Sequence, residues 1–184
     1  MQIMSLTPAW DPAGNLLRVL KMMLLNAHDS VERGEFPETF REIEKIMRTS
    51  STLHLYVCSP PLEKLVSRIV TDISVFGRLF AASLRLYRKL MDDGHIKRTC
   101  VCCCFPLQNH QTTPYLSRFC AECSWKQLDQ CHREKALATF LNRITLALRR
   151  LKRPDGVRLI KRLYSGFKDS KKLIDLVPTK ILND

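Results

Sequence analysis

Residues 58–94 read CSPPLEKLVSRIVTDISVFGRLFAASLRLYRKLMDDG. Ser59 can cap a helix, the two prolines after it need no amide hydrogen bond in a first turn, and Glu63 favours the positive end of the helix dipole. Apolar residues then recur every three or four positions as far as Gly94. This spacing predicts one helix of about thirty residues whose apolar stripe is wide enough to face several partners. The stretch is therefore expected to be the spine of an N-terminal helical bundle, residues 1–98.

Two shorter helices are predicted before this spine. Asp11 followed by Pro12 is typical of a helix start, and Gly34 is typical of a stop. The residues expected on the apolar face of this first helix are Leu16, Leu20, Met23, Ala27 and Val31. A second helix should run from Pro37 toward Arg48, and the side chains expected to face inward are Phe40, Ile43 and Met47.

Helical periodicity returns in the last third of the chain, from Leu128 to Leu151. The spacing is coiled-coil-like but covers only about two heptads, which favours packing within the chain and leaves a homodimer seam as the alternative. A shorter basic helix from Asp155 to about Tyr164 and a fragment from Lys171 to Leu176 are expected to follow. With 45% apolar residues, six glycines and nine prolines, the chain can bury a core and is predicted to be mostly α.

Residues 98–107, RTCVCCCFPL, hold four of the eight cysteines. Cys100 and Cys103 form a C-x-x-C pair, sixteen residues follow, and Cys120 and Cys123 form a second pair. Two such pairs at this separation are typical of zinc sites, because each tight turn presents two thiolates to one tetrahedral ion. The sequence predicts a zinc finger over residues 99–124 with one structural Zn²⁺.

The register of the first pair is restricted, because Cys102 and Cys104 have no cysteine three residues away. Substitution of one of the four ligands nevertheless stays open, and the candidates are Cys102, Cys104, His110, Cys131 and His132. Two other interpretations also stay open. Cysteines can be small buried apolar residues, or they can form a redox switch.

The order of these parts, CVCC, a loop, CAEC and then a helical segment, resembles a treble-clef zinc finger of the GATA type. The resemblance implies a metal-bound fold, whose known members bind DNA, RNA or protein. Between Cys100 and Cys123 the only basic residue is Arg118, with Glu122 opposing it. A finger that reads DNA by itself usually carries several Arg or Lys. The expected role is therefore structural, to anchor the basic helix that follows.

Positive charge is concentrated after the finger. The chain has a formal charge of +12; residues 1–99 hold 14 Lys/Arg against 11 Asp/Glu, whereas residues 124–184 hold 15 against 6. The basic helical region, residues 125–184, contains the candidate nucleic-acid contacts Arg149, Arg150, Lys152, Arg153, Arg158, Lys161 and Arg162. Leucines between them can be buried while the cations track a phosphate backbone. The run RRLKR is also a candidate nuclear-localisation signal, and a merely solvated face is the alternative.

A small, basic chain with the CVCC and CAEC turns and a leucine-rich helix resembles the cysteine-rich accessory proteins of RNA viruses. That resemblance implies a nucleic-acid-binding regulator, with RNA favoured over DNA, that suppresses RNA silencing or regulates replication and the host response. The alternative is an adaptor that binds a host protein, or a second copy of itself, through the finger and the leucine stripe.

No enzyme is predicted. His132-Arg133-Glu134 matches the H-x-E of zinc deaminases, but both C-x-x-C pairs precede it rather than follow it. The N-terminus lacks a secretory pattern, and the most apolar window, residues 16–25, is short and carries Arg18 and Lys21. The expectation is an intracellular protein, cytoplasmic or nuclear, without a membrane span.

Overall fold

The computed structural model describes residues 11–107, 118–120, 122–123 and 130–179, with only the backbone given for 130–132. Within these ranges the chain forms five helices: α1 (Pro12–Arg33), α2 (Phe36–His54), α3 (Pro60–Asp92), α4 (Gln130–Arg150) and α5 (Pro154–Asp175). The described residues contain no strand, and one isolated antiparallel bridge joins Thr99 to Pro106. The prediction of a mostly α fold is confirmed.

The first hairpin, α1 and α2, has the predicted caps. The carboxylate of Asp11 accepts a hydrogen bond from the backbone N–H of Gly14 at 2.9 Å, and Pro12 follows at the first helical position. Gly34 ends α1 in the left-handed conformation, φ 78°, which a side chain would strain. The hairpin brings α2 back along α1.

The inward face expected for α2 is confirmed at Ile43, which is partly buried against the core, and is wrong at Phe40 and Met47. Phe40 and Met47 are 50% and 55% exposed, whereas the buried positions are Thr39, Ile46 and Leu53. The reason is that Thr39 is held at the interface by a buried hydrogen bond between its Oγ1 and the Oγ of Ser30, 2.7 Å apart. A polar residue therefore fills an inward position that the apolar pattern assigned to its neighbour.

Helix α3 is the spine that its sequence predicts. Its N-cap Ser59 accepts the backbone N–H of Leu62, and the helix continues for 33 residues. It packs against each of the other four helices. The apolar residues it buries are Val66, Ile69, Ile73, Phe76, Phe80, Leu84, Tyr87, Leu90 and Met91.

The leucine stripe of α4 is buried inside the chain. Leu137, Leu141, Ile144 and Leu148 are each at most 6% exposed, and α4 packs against α1, α3 and α5. Leu128 lies outside the described residues. Because the stripe is covered by the chain's own helices, it does not offer the dimer seam that was the alternative interpretation.

The C-terminal helix corrects a second expectation, because α5 runs without a break from Pro154 to Asp175. Gly166 lies where the sequence indicated a gap between two fragments. It is a point of close approach: a Cβ built there would lie 2.8 Å from Cζ of Phe76. The next residue, Phe167, is buried and meets the Phe76 ring edge to face, with centroids 5.9 Å apart.

Gly166→Ala is expected to lower the free energy of unfolding by about 1–3 kcal/mol, because the new methyl group would overlap the Phe76 ring. Gly77→Ala is the matched control in α3, since its Cβ would meet only Val31 at 3.9 Å. The control should gain about 0.5–1 kcal/mol from helix propensity. Urea unfolding followed by circular dichroism measures both. Equal effects of the two substitutions would contradict the proposed close approach.

One hydrophobic core connects the parts. It contains residues of all five helices together with Ile96 and with Cys100, Val101 and Phe119 of the predicted finger. The domain boundaries proposed at residues 98/99 and 124/125 stay predictions. Across the described ranges, no helix combines the length and apolar content that crossing a bilayer requires.

Candidate metal centre and basic corner

The first C-x-x-C pair lies in a tight turn closed by backbone hydrogen bonds. The N–H of Cys100 donates to the carbonyl of Phe105 at 2.8 Å, and the N–H of Cys104 donates to the carbonyl of Cys100 at 3.0 Å. The turn is completed by the left-handed backbone of Cys104, φ 61°. The N–H of Cys102 points at Sγ of Cys100, 3.5 Å away. The turn thus directs an amide donor at a thiol, which favours the thiolate that a metal requires.

The second pair is positioned by the first. The N–H of Val101 donates to the carbonyl of Arg118 at 2.9 Å, which joins the two segments two residues before Cys120. The N–H of Cys123 then points at Sγ of Cys120, 3.4 Å away. In both turns, therefore, a backbone N–H points at the first sulfur of the pair.

The structure brings the four predicted cysteines together. The Sγ atoms of Cys100, Cys103, Cys120 and Cys123 all lie within 4.8 Å of one another. Those of Cys103 and Cys120 are 3.6 Å apart, and both thiols are free. Zn–S bonds of about 2.3 Å at tetrahedral angles require sulfurs about 3.8 Å apart, whereas a disulfide requires about 2 Å. The arrangement is therefore compatible with a bound metal ion and does not correspond to a disulfide.

The thiols differ in their electrostatic environment. Burial opposes ionisation of Cys100, but backbone N–H groups of Cys103, Cys120 and Cys102 outweigh it and lower the pKa of Cys100 to about 7. Burial raises the pKa of Cys120 and of Cys123 above the ordinary value of a thiol. A metal ion would supply the positive charge that holds all four groups as thiolates.

The substitute ligands fall into two groups. Cys102 and Cys104 are exposed and do not belong to the cluster of four sulfurs. His110 lies outside the described residues, as do the side chains of Cys131 and His132. Of the cysteines whose side chains the structure describes, only the predicted four converge.

Sequence reasoning missed the group that attaches the first turn to the helices. Arg143 of α4 donates to the carbonyl of Thr99 at 2.8 Å, to the carbonyl of Cys100 at 3.3 Å, and to the hydroxyl of Tyr87 in α3 at 3.0 Å. One guanidinium thus links α3, α4 and the cysteine turn. No local pattern indicates this role, since the partners lie more than forty positions away in sequence.

Arg118, the one basic residue between the outermost cysteines, points into the core. Its side chain is 1% exposed, and its guanidinium carbon lies 5.0, 4.8 and 5.2 Å from the ring centroids of Phe80, Phe119 and Phe140. Such cation–π contacts favour a desolvated guanidinium. Arg118 is therefore not placed to contact a nucleic acid, in keeping with a structural role of the finger.

Arg143→Gln is expected to lower metal affinity by about 10–100-fold, as loss of groups that orient metal ligands commonly does. It should also destabilise the fold by about 2–4 kcal/mol, because three hydrogen bonds of a charged group are lost. Arg149→Gln, at an exposed site on the same helix, is the control and should change neither. Competition with a metal-binding dye measures affinity. Indistinguishable affinities of the two variants would show that Arg143 does not support the centre.

The basic residues form the second candidate site, here named the basic corner: Arg149, Arg150, Lys152, Arg153, Arg158, Lys161 and Arg162. All seven are exposed. A tight turn joins α4 to α5: Lys152 adopts the left-handed conformation, φ 55°, and the N–H of Arg153 donates to the carbonyl of Leu148 at 2.9 Å. The turn therefore places the last cations of α4 beside the first turns of α5.

Burial of alternate residues orients the cations of α5. Val157, Ile160 and Leu163 face the core, while Arg158, Lys161 and Arg162 lie on the opposite face at helical spacing. Within the described ranges, Arg158 pairs with Asp155, and no carboxylate lies within ion-pairing distance of the other six cations of the corner. Exposed pairs of this kind contribute little, so the corner retains its positive field.

No family model, curated protein or solved structure matches the chain. The likenesses to GATA-type fingers and to viral accessory proteins therefore stay predictions.

Proposed function

We propose that the protein is a zinc-stabilised nucleic-acid-binding protein. In this proposal the four cysteines hold one Zn²⁺ as a structural ion, and the basic corner binds the phosphate backbone of RNA. The observation that carries the proposal is the exposure of seven cations across one tight turn, six of them without a carboxylate partner in the described part of the chain.

Zinc is the metal that the donor set favours. Four thiolates at tetrahedral spacing suit a soft or borderline ion, and zinc in such closed sites is structural. A site closed by four protein ligands leaves no position for a substrate, which supports a binding protein over an enzyme.

The metal centre and the basic corner share α4. Arg143 joins this helix to the first cysteine turn, and Arg149 and Arg150 lie in its last turn. Ordering the cysteine turns therefore supports the helix that presents the cations. Through this link the finger supports nucleic-acid binding without contacting the nucleic acid itself.

Recognition through phosphates rather than bases fits the side chains near the corner. Phe167 is buried, and the ring of Tyr164 is half-buried with Lys168 4.4 Å from its centroid. Phe167 therefore offers no face on which a base could stack, and a base on Tyr164 would compete with Lys168. The preference for RNA rests on the resemblance to accessory proteins of RNA viruses, and a role in silencing suppression or host response is part of that proposal.

The test is a salt titration with four labelled probes: single-stranded and duplex RNA, and single-stranded and duplex DNA. If the seven cations contact phosphates, the slope of log K against log salt for single strands should be about −5. Submicromolar affinity at low salt with the tightest binding to RNA is expected. Absence of binding to all four probes below micromolar concentration at low salt would refute the proposal, and tighter binding to DNA would refute the RNA assignment.

A second candidate function, an adaptor for an acidic protein, is favoured by one observation. A cleft of about 500 Å³ lies between α3 and the α4–α5 turn, and its lining includes Leu79, Leu86, Lys152 and Arg153. Apolar surface beside cations suits an acidic amphipathic segment. Failure of all four nucleic-acid probes would leave this function as the better supported one.

A further inference from the structure

A second group of metal-type donors lies away from the cysteines, at a cleft of about 360 Å³ lined by α1, α4 and α5. His28 and Glu32 of α1 line it, and their side chains are almost fully buried, with 1% and 6% exposure. Buried polar atoms normally have hydrogen-bond partners, so buried atoms without one indicate an absent ligand, water or proton.

The hydrogen bond of His28 decides the state of its ring. Nε2 lies 3.1 Å from the carbonyl oxygen of Phe167, and a carbonyl can only accept, so Nε2 carries the proton. In the neutral ring Nδ1 then presents a lone pair, and Nδ1 has no hydrogen-bond partner among the described residues. An N–H donated to a backbone carbonyl is the usual support of a metal-binding histidine.

Two carboxylates lie close to the His28 ring. Glu32 follows His28 by one helical turn, and Asp29 is its neighbour; one ligand atom from each of the three side chains lies within 4.8 Å of the other two. Oε2 of Glu32 is also buried without a hydrogen-bond partner in the described part of the chain. Nδ1 of His28 and Oε2 of Glu32 are thus two buried atoms that each lack a hydrogen-bond partner in the described part of the chain.

The positive groups around this cleft are matched by carboxylates. Arg133 lies 3.7 Å from Asp29 and Lys171 lies 3.9 Å from Glu134, so two positive groups stand against the carboxylates of Asp29, Glu32 and Glu134. Lys168 and Lys172 line the same cleft but are exposed, where solvent and salt screen their repulsion.

We infer that His28 Nδ1 and the carboxylates of Asp29 and Glu32 form a second metal site, which binds a divalent cation of the zinc class through nitrogen and oxygen donors. Three protein ligands leave a coordination position that faces the cleft. This site differs from the cysteine centre in chemistry, since it has no thiolate, and it goes beyond the proposed function.

The experiment adds Co²⁺ to full-length protein that has first been loaded with one equivalent of zinc, enough for the cysteine centre alone, and freed of unbound metal. Cobalt bound to nitrogen and oxygen gives weak visible d–d bands, whereas cobalt at thiolates adds an intense near-ultraviolet charge-transfer band. Saturable visible absorption without that band is expected, at one equivalent. Glu32→Gln should weaken this binding at least about 100-fold, because an amide is a poor ligand. The variant should fold, since its amide N–H can donate to His28 Nδ1.

Glu134→Gln is the matched control, with the same substitution and the same loss of charge at the same cleft. It should retain the saturable bands. Absence of saturable binding in the zinc-loaded wild type would overturn the inference and leave a shared proton or water between His28 and Glu32. Binding that survives Glu32→Gln, or that is lost equally in both variants, would overturn it as well.

Discussion

Cys103→Ser is expected to release the bound zinc and to lower the free energy of unfolding by at least about 4 kcal/mol, because loss of a structural metal is among the largest single effects known. Cys103 is the most informative of the four cysteines because it is exposed, so that its replacement removes little core packing. Zinc quantification after gel filtration and thermal unfolding by circular dichroism measure the two effects.

The controls for this prediction are its neighbours. Cys102 and Cys104 are exposed like Cys103 but do not belong to the sulfur cluster. Cys102→Ser and Cys104→Ser make the same chemical change one position away on either side, and both should keep the zinc and the stability of the wild type. Equal zinc loss in all three variants, or in none of them, would contradict the ligand set.

The second large effect concerns the basic corner. The triple variant Arg150→Gln, Arg158→Gln and Arg162→Gln should lower RNA affinity at low salt on the order of 100-fold, because hydrogen-bonded charge contacts to phosphates are lost. The magnitude of the salt slope should fall by about 2 if each cation neutralises one phosphate of a single strand. Fluorescence anisotropy with labelled RNA over a salt series measures both quantities.

The matched control lies on α2, where Arg41, Lys45 and Arg48 are exposed and pair with Glu38, Glu42 and Glu44. Replacing these three cations with glutamine changes the net charge of the protein by the same amount. RNA affinity should then fall only slightly, since the removed charges are already compensated locally. Similar losses in both triple variants would show that overall charge, rather than the corner, attracts the nucleic acid.

The helices of this protein can largely be predicted from residues that are adjacent in sequence. Ser59 with two prolines, and Asp11 with Pro12, mark helix starts through hydrogen bonds and ring geometry that depend only on adjacent residues. The two wrong predictions, the inward face of α2 and the break in α5, arose where tertiary packing overrides a local pattern. Thr39 takes an inward position through its hydrogen bond with Ser30, and Gly166 lies inside a continuous helix at the point where the Phe76 ring approaches its backbone.

The cysteine cluster was predictable for a related reason. The spacing C-x-x-C limits which sulfurs one turn can present together, so Cys100 and Cys103 could be chosen over Cys102 and Cys104. The groups that support the centre were not predictable. Arg143 reaches Tyr87 across 56 positions of sequence, and Arg118 is buried among rings from α3 and α4. Such contacts depend on how helices pack, which no local spacing encodes.

The pair formed by His28 and Glu32 could not be predicted from the sequence for the same reason. Their spacing places them on one face of α1, but an isolated histidine at helical spacing from a glutamate is common on solvated helices. What distinguishes this pair is the carbonyl of Phe167, 139 positions away, which accepts the proton of Nε2 and leaves the buried Nδ1 without a hydrogen-bond partner among the described residues. Only the packing of α5 against α1 reveals it.

The central claim, that the four cysteines together hold one structural metal ion, is tested most directly by the absorption spectrum of the protein with cobalt in place of zinc. The thiolate-to-cobalt charge-transfer intensity reports the number of sulfurs bound to the metal. The account predicts the intensity of four cobalt–sulfur bonds and a tetrahedral d–d spectrum at one equivalent, both lost in Cys103→Ser. An intensity of two bonds or fewer in a folded wild-type protein would contradict it.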